Sequence, residues 1–198
     1  MPAALLWGLT VFCFVSSITP GPNNLMLMSS GVNFGVRRTL PHMTGVALGF
    51  VLMVALVGLG LAGLFSRYPA LLVAMKWIGA AYMVWLAVKL ARATPIKAGE
   101  AKGRPITFVQ AAAFQWINPK AWIMALTAVA TYSDPADYTR TVLMVALVFG
   151  MTTLPCVATW VFFGTALRHA LQRPAILRAF NWTMGFLLIA SLYPVFTE

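Results

Sequence analysis

The stretch Ser16–Ser30, SSITPGPNNLMLMSS, sets two prolines around a glycine and follows them with two asparagines, in the middle of an otherwise apolar run. Proline removes a backbone donor and clashes with the preceding turn, so a helix cannot pass through this stretch unbroken. Pro20 and Pro22 lack the N–H groups that would bond to the carbonyls of Ser16 and Ile18, and Gly21 widens the permitted backbone angles. Two carbonyls thus lose their helical partners. Asn23 and Asn24 then begin a new helical segment, whose free N–H groups carry the positive end of its dipole.

The surroundings make such a break expensive. Of the 198 residues, 61% are hydrophobic and only 9% charged, against about 25% charged in an average globular domain. Val46–Phe65 runs 20 residues without a charge and Val142–Leu167 runs 26. Either can cross a hydrocarbon layer about 30 Å thick. The short alternating strands of an outer-membrane barrel are absent, so the chain reads as an all-α, polytopic membrane protein. Apolar runs divide it into six spans, near 3–30, 41–65, 69–92, 107–131, 140–167 and 175–196. No Lys or Arg precedes Arg37, so the first run lacks the charged start of a secretory signal and reads as a retained span.

Charge placement gives the orientation. Arg37 and Arg38 follow the first span; Lys89, Arg92, Lys97, Lys102 and Arg104 follow the third; Arg168, Arg173 and Arg178 follow the fifth. By the positive-inside rule these loops are cytoplasmic and both termini face outward, the periplasmic side of an inner membrane. The net charge of +10 is therefore an orientation signal and no indication of nucleic acid. The polar stretch Thr94–Pro105 divides the chain into halves 1–93 and 107–198, joined by a basic loop over 94–106.

A second break answers the first. The fourth span contains FQWINPKAW, with Asn118, Pro119 and Lys120 at its middle, and Pro119 frees the carbonyl of Gln115. Because each half has three spans, the halves enter the membrane in opposite directions, the pattern of an inverted repeat. Interrupted helices at corresponding positions mark a transporter's substrate site. Irregular backbone at that depth survives only inside protein or against a water-filled cavity.

Lys120 would lie deep in the bilayer with no carboxylate to pair with, since all four acids fall in loops or at the end of the chain. A cation beside a helix start suits an anionic group, and freed carbonyls suit an ammonium. Together they describe an amino-acid zwitterion, and the lack of a buried acid favours small neutral amino acids. The candidate substrate-binding residues are Pro20, Gly21, Pro22, Asn23, Asn24, Gln115, Asn118, Pro119 and Lys120. Gly31, Gly35, Gly45 and Gly49 form a small-residue stripe for helix packing or sliding. His42, expected at the cytoplasmic end of the second span, is either an interfacial side chain or a proton-coupling group. Cys13 and Cys156 are isolated, with no metal-ligand spacing and no nucleophile constellation, so neither metal, cofactor nor enzymatic chemistry is expected.

TPGPNN with its following glycines, and FQWINPKAW at the start of the second half, resemble the lysine-exporter (LysE/RhtB) family of bacterial amino-acid exporters over essentially the whole chain. GAAYMVWLAVKL and RPITFVQAAAFQWIN are similar to the branch that exports cysteine and O-acetylserine. The resemblance implies efflux of small neutral amino acids or derivatives, of the cysteine, O-acetylserine, homoserine, threonine or leucine type, across the bacterial inner membrane. It carries over Pro20, Gly21, Pro22 and Asn23 from the first motif and Asn118, Pro119 and Lys120 from the second. Thr39 departs from it, standing where many relatives have glycine or alanine. The implied partners are a small amino-acid substrate and the lipid bilayer, with a homo-oligomer as an open alternative. A membrane thiol-disulfide carrier, which also has inverted halves, is the other reading. It requires a reactive cysteine at matching places in each half, and Cys13 and Cys156 fall on the first and fifth spans.

Overall fold

The structure, a computed structural model, describes residues 1–61, 67–92, 104–190 and 193. Most of the expected basic loop, residues 94–103, lies outside the described residues, as do the ends of the second and sixth expected spans. Among the described residues the chain is helical, with no strand. The helices are α1 (Ala3–Ile18), α2 (Pro22–Leu56), α3 (Pro69–Ala91), α4 (Phe108–Phe114), α5 (Pro119–Tyr132), α6 (Tyr138–Leu167) and α7 (Pro174–Ala190). A π-helical turn, Val57–Leu61, extends α2.

Local sequence explains the starts. Pro22 and Pro119 sit at the first helical positions of α2 and α5, where a missing N–H is harmless and the fixed φ suits a helix. Thr107 and Gln110 close a reciprocal capping box at the start of α4.

Residues 31–40, expected to link the first and second spans, are helical apart from one kink at Gly35, whose φ of 74° and ψ of 174° leave the helix. A left-handed φ favours a residue without Cβ, and glycine supplies it. Thr39 closes the bend: its hydroxyl lies 2.8 Å from the Gly35 carbonyl and 2.9 Å from the Ser30 hydroxyl, fully buried. Thr39 therefore holds the kink together. Gly35 itself belongs to no packing stripe, for a Cβ there would meet nothing within 4 Å.

The remaining glycines of the stripe do pack, against two different helices. A Cβ on Gly31 would collide with the Val161 carbonyl of α6, and one on Gly164 with the Met28 carbonyl of α2. Gly45 and Gly49 face the backbone of α4 at Phe108 and Ala112. Small residues thus let backbones meet directly, the contact that replaces the hydrophobic effect inside a membrane.

The main packing runs between α2 and α6, with α4 laid on α2, α1 on α6, and α3 on α7. One apolar cluster joins Leu9 and Cys13 of α1, Phe50 and Met53 of α2, Ala125 of α5 and Phe149 of α6. In it the Phe50 and Phe149 rings meet edge to face, with centroids 4.9 Å apart. A second cluster ties Leu25 and Met28 to Ala80, Met83 and Ala87 of α3 and Met184 of α7.

The outside is as apolar as the inside. Trp7, Val109, Met151 and Phe186 are each at least 70% exposed, a surface a water-soluble monomer rarely tolerates. Pro22–Gly60 and Pro135–Leu167 are each long and apolar enough to cross a membrane.

Candidate functional site

The first break spans three residues. The α1 helix stops at Ile18, Thr19 is extended (φ −62°, ψ 144°), and Gly21 is fully extended (φ −173°, ψ 175°) before Pro22 opens α2. Any residue adopts Gly21's backbone angles, which corrects the expectation that glycine is needed there to turn the chain. What it supplies is room: a Cβ would lie 2.9 Å from Cδ and 3.3 Å from Nζ of Lys120. At the second break α4 tightens into a 3₁₀ turn, Gln115–Ile117, and Asn118 is extended. Its side-chain oxygen accepts from the Lys120 amide at 3.2 Å, capping α5.

The two breaks meet through their amides. Asn23 Nδ2 donates to Gln115 Oε1 at 2.8 Å, and Gln115 Nε2 donates back to Asn23 Oδ1 at 3.3 Å and to the Ala111 carbonyl at 2.8 Å. Gln115 is 1% exposed. Asn24, also buried, spans the first break from within, donating to the carbonyls of Ser17 (2.9 Å) and Thr19 (2.8 Å).

Buried carbonyls must find donors, and each carbonyl freed by a proline has one within the chain. The Ser16 carbonyl accepts from the Thr19 hydroxyl at 2.9 Å, Ile18 from the Trp160 indole at 3.0 Å, and Gln115 from the Asn118 amide at 3.2 Å. Those three carbonyls, expected to be open to a ligand, are engaged within the chain. Lys120 instead reaches across to the first break, where Nζ donates to the Thr19 carbonyl (2.7 Å), the Thr19 hydroxyl (2.9 Å) and the Pro20 carbonyl (3.2 Å). Its partners are neutral oxygens; among the described residues the ion pair is Arg140–Asp137, at the exposed start of α6.

Beside these groups lies a cavity of about 40 Å³, room for a few waters. Gly21, Pro22, Asn23, Asn24, Gln115, Asn118 and Lys120 line it, so it gathers seven of the nine candidates from both breaks. Pro20 and Pro119 do not line it; they shape the backbone behind it. Ser16 and Ser17 of α1, Val46 and Phe50 of α2, Ala121 and Met124 of α5, and Thr153 and Val157 of α6 complete the wall. The hydroxyls of Ser17 and Thr153 lie 3.3 Å apart. Polar groups converging in a mostly apolar pocket are the usual form of a small-molecule site.

Thr19, Trp160 and Thr153 went unnoticed in the sequence. Thr19 left a signal, a hydroxyl residue immediately before the first proline. The other two had none, because their helix comes from the other end of the chain.

His42 is fully buried, which corrects its expected place at the interface. It does not line the cavity, and neither ring nitrogen has a hydrogen-bond partner among the described residues. Cys13 and Cys156 are buried free thiols on α1 and α6. No group of three His, Cys, Asp or Glu able to hold a metal occurs among the described residues.

Comparison with known proteins bears on this site. The family described as LysE type translocator matches residues 14–191. A cysteine/O-acetylserine efflux protein of Klebsiella pneumoniae subsp. pneumoniae is 30% identical over the whole of both chains. Proteins of the same name from Escherichia coli (strain K12) and Shigella flexneri are each 33% identical over 135 residues, covering 68% of this chain and 69% of theirs. No solved structure matches. With two proline breaks meeting at one polar cavity in an apolar helical body, and with that match running from α1 to the end of α7, the chain belongs to the LysE family of membrane translocators.

Proposed function

We propose that this chain is a secondary exporter of small neutral amino acids or their derivatives, of the cysteine and O-acetylserine type, across the bacterial inner membrane. The observation that carries the reading is the meeting of the two helix breaks: Asn23 and Gln115 pair across them, and Lys120 of one reaches the carbonyls of the other beside a common cavity. The names of the full-length and partial relatives support the substrate class.

In this reading six spans form two inverted halves, residues 1–93 and 107–198, with both termini outside. The packing supports it through an exchange of roles. The first half's α2 lies on α4 of the second, and the second half's α6 lies on α1 of the first. Gly31 against Val161 and Gly164 against Met28 bring α2 and α6, one helix from each half, into direct backbone contact. Alternating access would then move one set of helices against the other around a site shared by both. His42, buried without a partner for either ring nitrogen, is the group this reading assigns to proton coupling.

The test is transport itself. Purified protein in liposomes loaded with a panel of amino acids, cysteine and O-acetylserine included, is expected to release the small neutral ones faster than protein-free liposomes, with a rate that responds to an imposed proton gradient. Release of none above that leak refutes the exporter reading.

A further inference from the structure

The three oxygens around Lys120 Nζ, at 2.7, 2.9 and 3.2 Å, make a cradle for a primary ammonium. An ammonium has three donors and no acceptor, so the cradle matches any R–NH₃⁺ as well as it matches the lysine. Two of its acceptors are backbone carbonyls of the first break, Thr19 and Pro20, and the third is the Thr19 hydroxyl. None carries a charge, so the lysine is hydrogen-bonded but not neutralised. A carboxylate is the stronger partner for it, because both members of that bond are charged. The cradle is also reachable. Thr19 is exposed, Lys120 is half-buried, and the lysine stem runs past the bare backbone of Gly21.

We propose that Lys120 is a tethered stand-in for the substrate's amino group. In the empty carrier it fills the Thr19–Pro20 cradle. A zwitterionic amino acid binds by exchange: its carboxylate draws the Lys120 ammonium away, and its own ammonium takes the vacated oxygens. The inference rests on the exporter reading and sharpens its selectivity. A molecule with only an amino group would have to displace Lys120 with nothing to receive it. A molecule with only a carboxylate would leave the cradle without a donor. Both groups on one molecule satisfy every partner.

Ligand-induced stabilisation of the full-length protein in detergent micelles tests the exchange, with O-acetylserine as zwitterion, ethanolamine as amine alone and propionate as acid alone. Wild type is expected to respond to O-acetylserine and to neither single-group probe. In Lys120→Met the cradle is open, so O-acetylserine binding weakens while ethanolamine binding appears, at least about tenfold tighter than to wild type, the lower end of what a charge-assisted hydrogen bond contributes. Adding Thr19→Val removes one cradle oxygen and reduces that gained affinity again. Lys120→Gln gives the same readout where Lys120→Met is not recovered with wild-type helical content. A helical Lys120 variant that gains no ethanolamine binding overturns the exchange, as does wild type binding ethanolamine as tightly as O-acetylserine. If wild type nonetheless releases amino acids from liposomes, only the exchange has failed; if it releases none, the exporter reading has failed first.

Discussion

Replacing Gln115 with leucine removes the contact between the two breaks while keeping a side chain of similar size. The variant loses the 2.8 Å bond from Asn23, the 3.3 Å bond returned to it, and the 2.8 Å bond to the Ala111 carbonyl. Side-chain hydrogen bonds between helices in a membrane average about 0.6 kcal/mol and reach about 1.7. The two that join the breaks therefore predict a coupling between Asn23 and Gln115 of roughly 1 kcal/mol, with a ceiling near 3. Gln115 is 1% exposed but Asn23 is only half-buried, so the orphaned Asn23 amide is partly rewetted, which favours the lower part of the range. The assay is a double-mutant cycle with Asn23→Leu, Gln115→Leu and the pair, each unfolded by denaturing detergent in mixed micelles. The double variant should recover part of the cost of the singles, because it leaves neither amide facing hydrocarbon. Strictly additive effects, with coupling below about 0.3 kcal/mol, would refute the claim that this pair fastens the breaks together.

Gly31→Ala and Gly164→Ala should each cost about 1–3 kcal/mol in the same unfolding assay, because the neighbour each Cβ meets is backbone that cannot step aside. Their effects should fall short of additive, since both force apart the same pair of helices. His42→Leu should leave stability unchanged or raise it, because it removes two ring nitrogens that lack partners in the fully buried state; a proton-coupling role is supported if efflux then stops responding to the proton gradient, and a clear loss of stability would contradict the burial argument. Cys13→Ala with Cys156→Ala should preserve amino-acid efflux, measured from loaded liposomes; its complete loss in folded protein would favour the thiol-carrier alternative.

The breaks themselves were legible because proline and glycine act locally. Pro20 and Pro22 flank the first break, Pro119 opens α5 and Asn118 caps the residue two places on, whereas the isolated Pro41 and Pro155 lie inside α2 and α6 without ending them. The membrane class was legible from bulk composition. What the sequence hid was the accounting between segments. Nothing near Ile18 announces that the Trp160 indole will meet its carbonyl, since 142 residues separate them. Freed carbonyls looked available because their eventual donors could not be assigned by periodicity. His42 looked interfacial because it follows Arg37 and Arg38, yet its imidazole lies inside, on the part of α2 beyond the kink at Gly35. The glycine stripe was right as a composition and wrong as one surface, because Gly35 separates Gly31, which faces α6, from Gly45 and Gly49, which face α4. A bend between residues redistributes the faces that a straight helix would share.

The crossing of α2 and α6 at Gly31 and Gly164 is backbone against backbone, and it therefore contains no rotamers to rearrange. Such a joint behaves as a fulcrum: the helices can tilt about it far more easily than they can separate or slide. Asn23 stands eight residues from Gly31 on the same straight leg, a lever arm of about 12 Å at 1.5 Å per residue. A tilt of about 10° at the joint would carry Asn23 about 2 Å, enough to part a 2.8 Å hydrogen bond to Gln115. In the proposed exporter, two glycines outside the cavity lining would thus set the gearing by which a small rotation opens or closes the site.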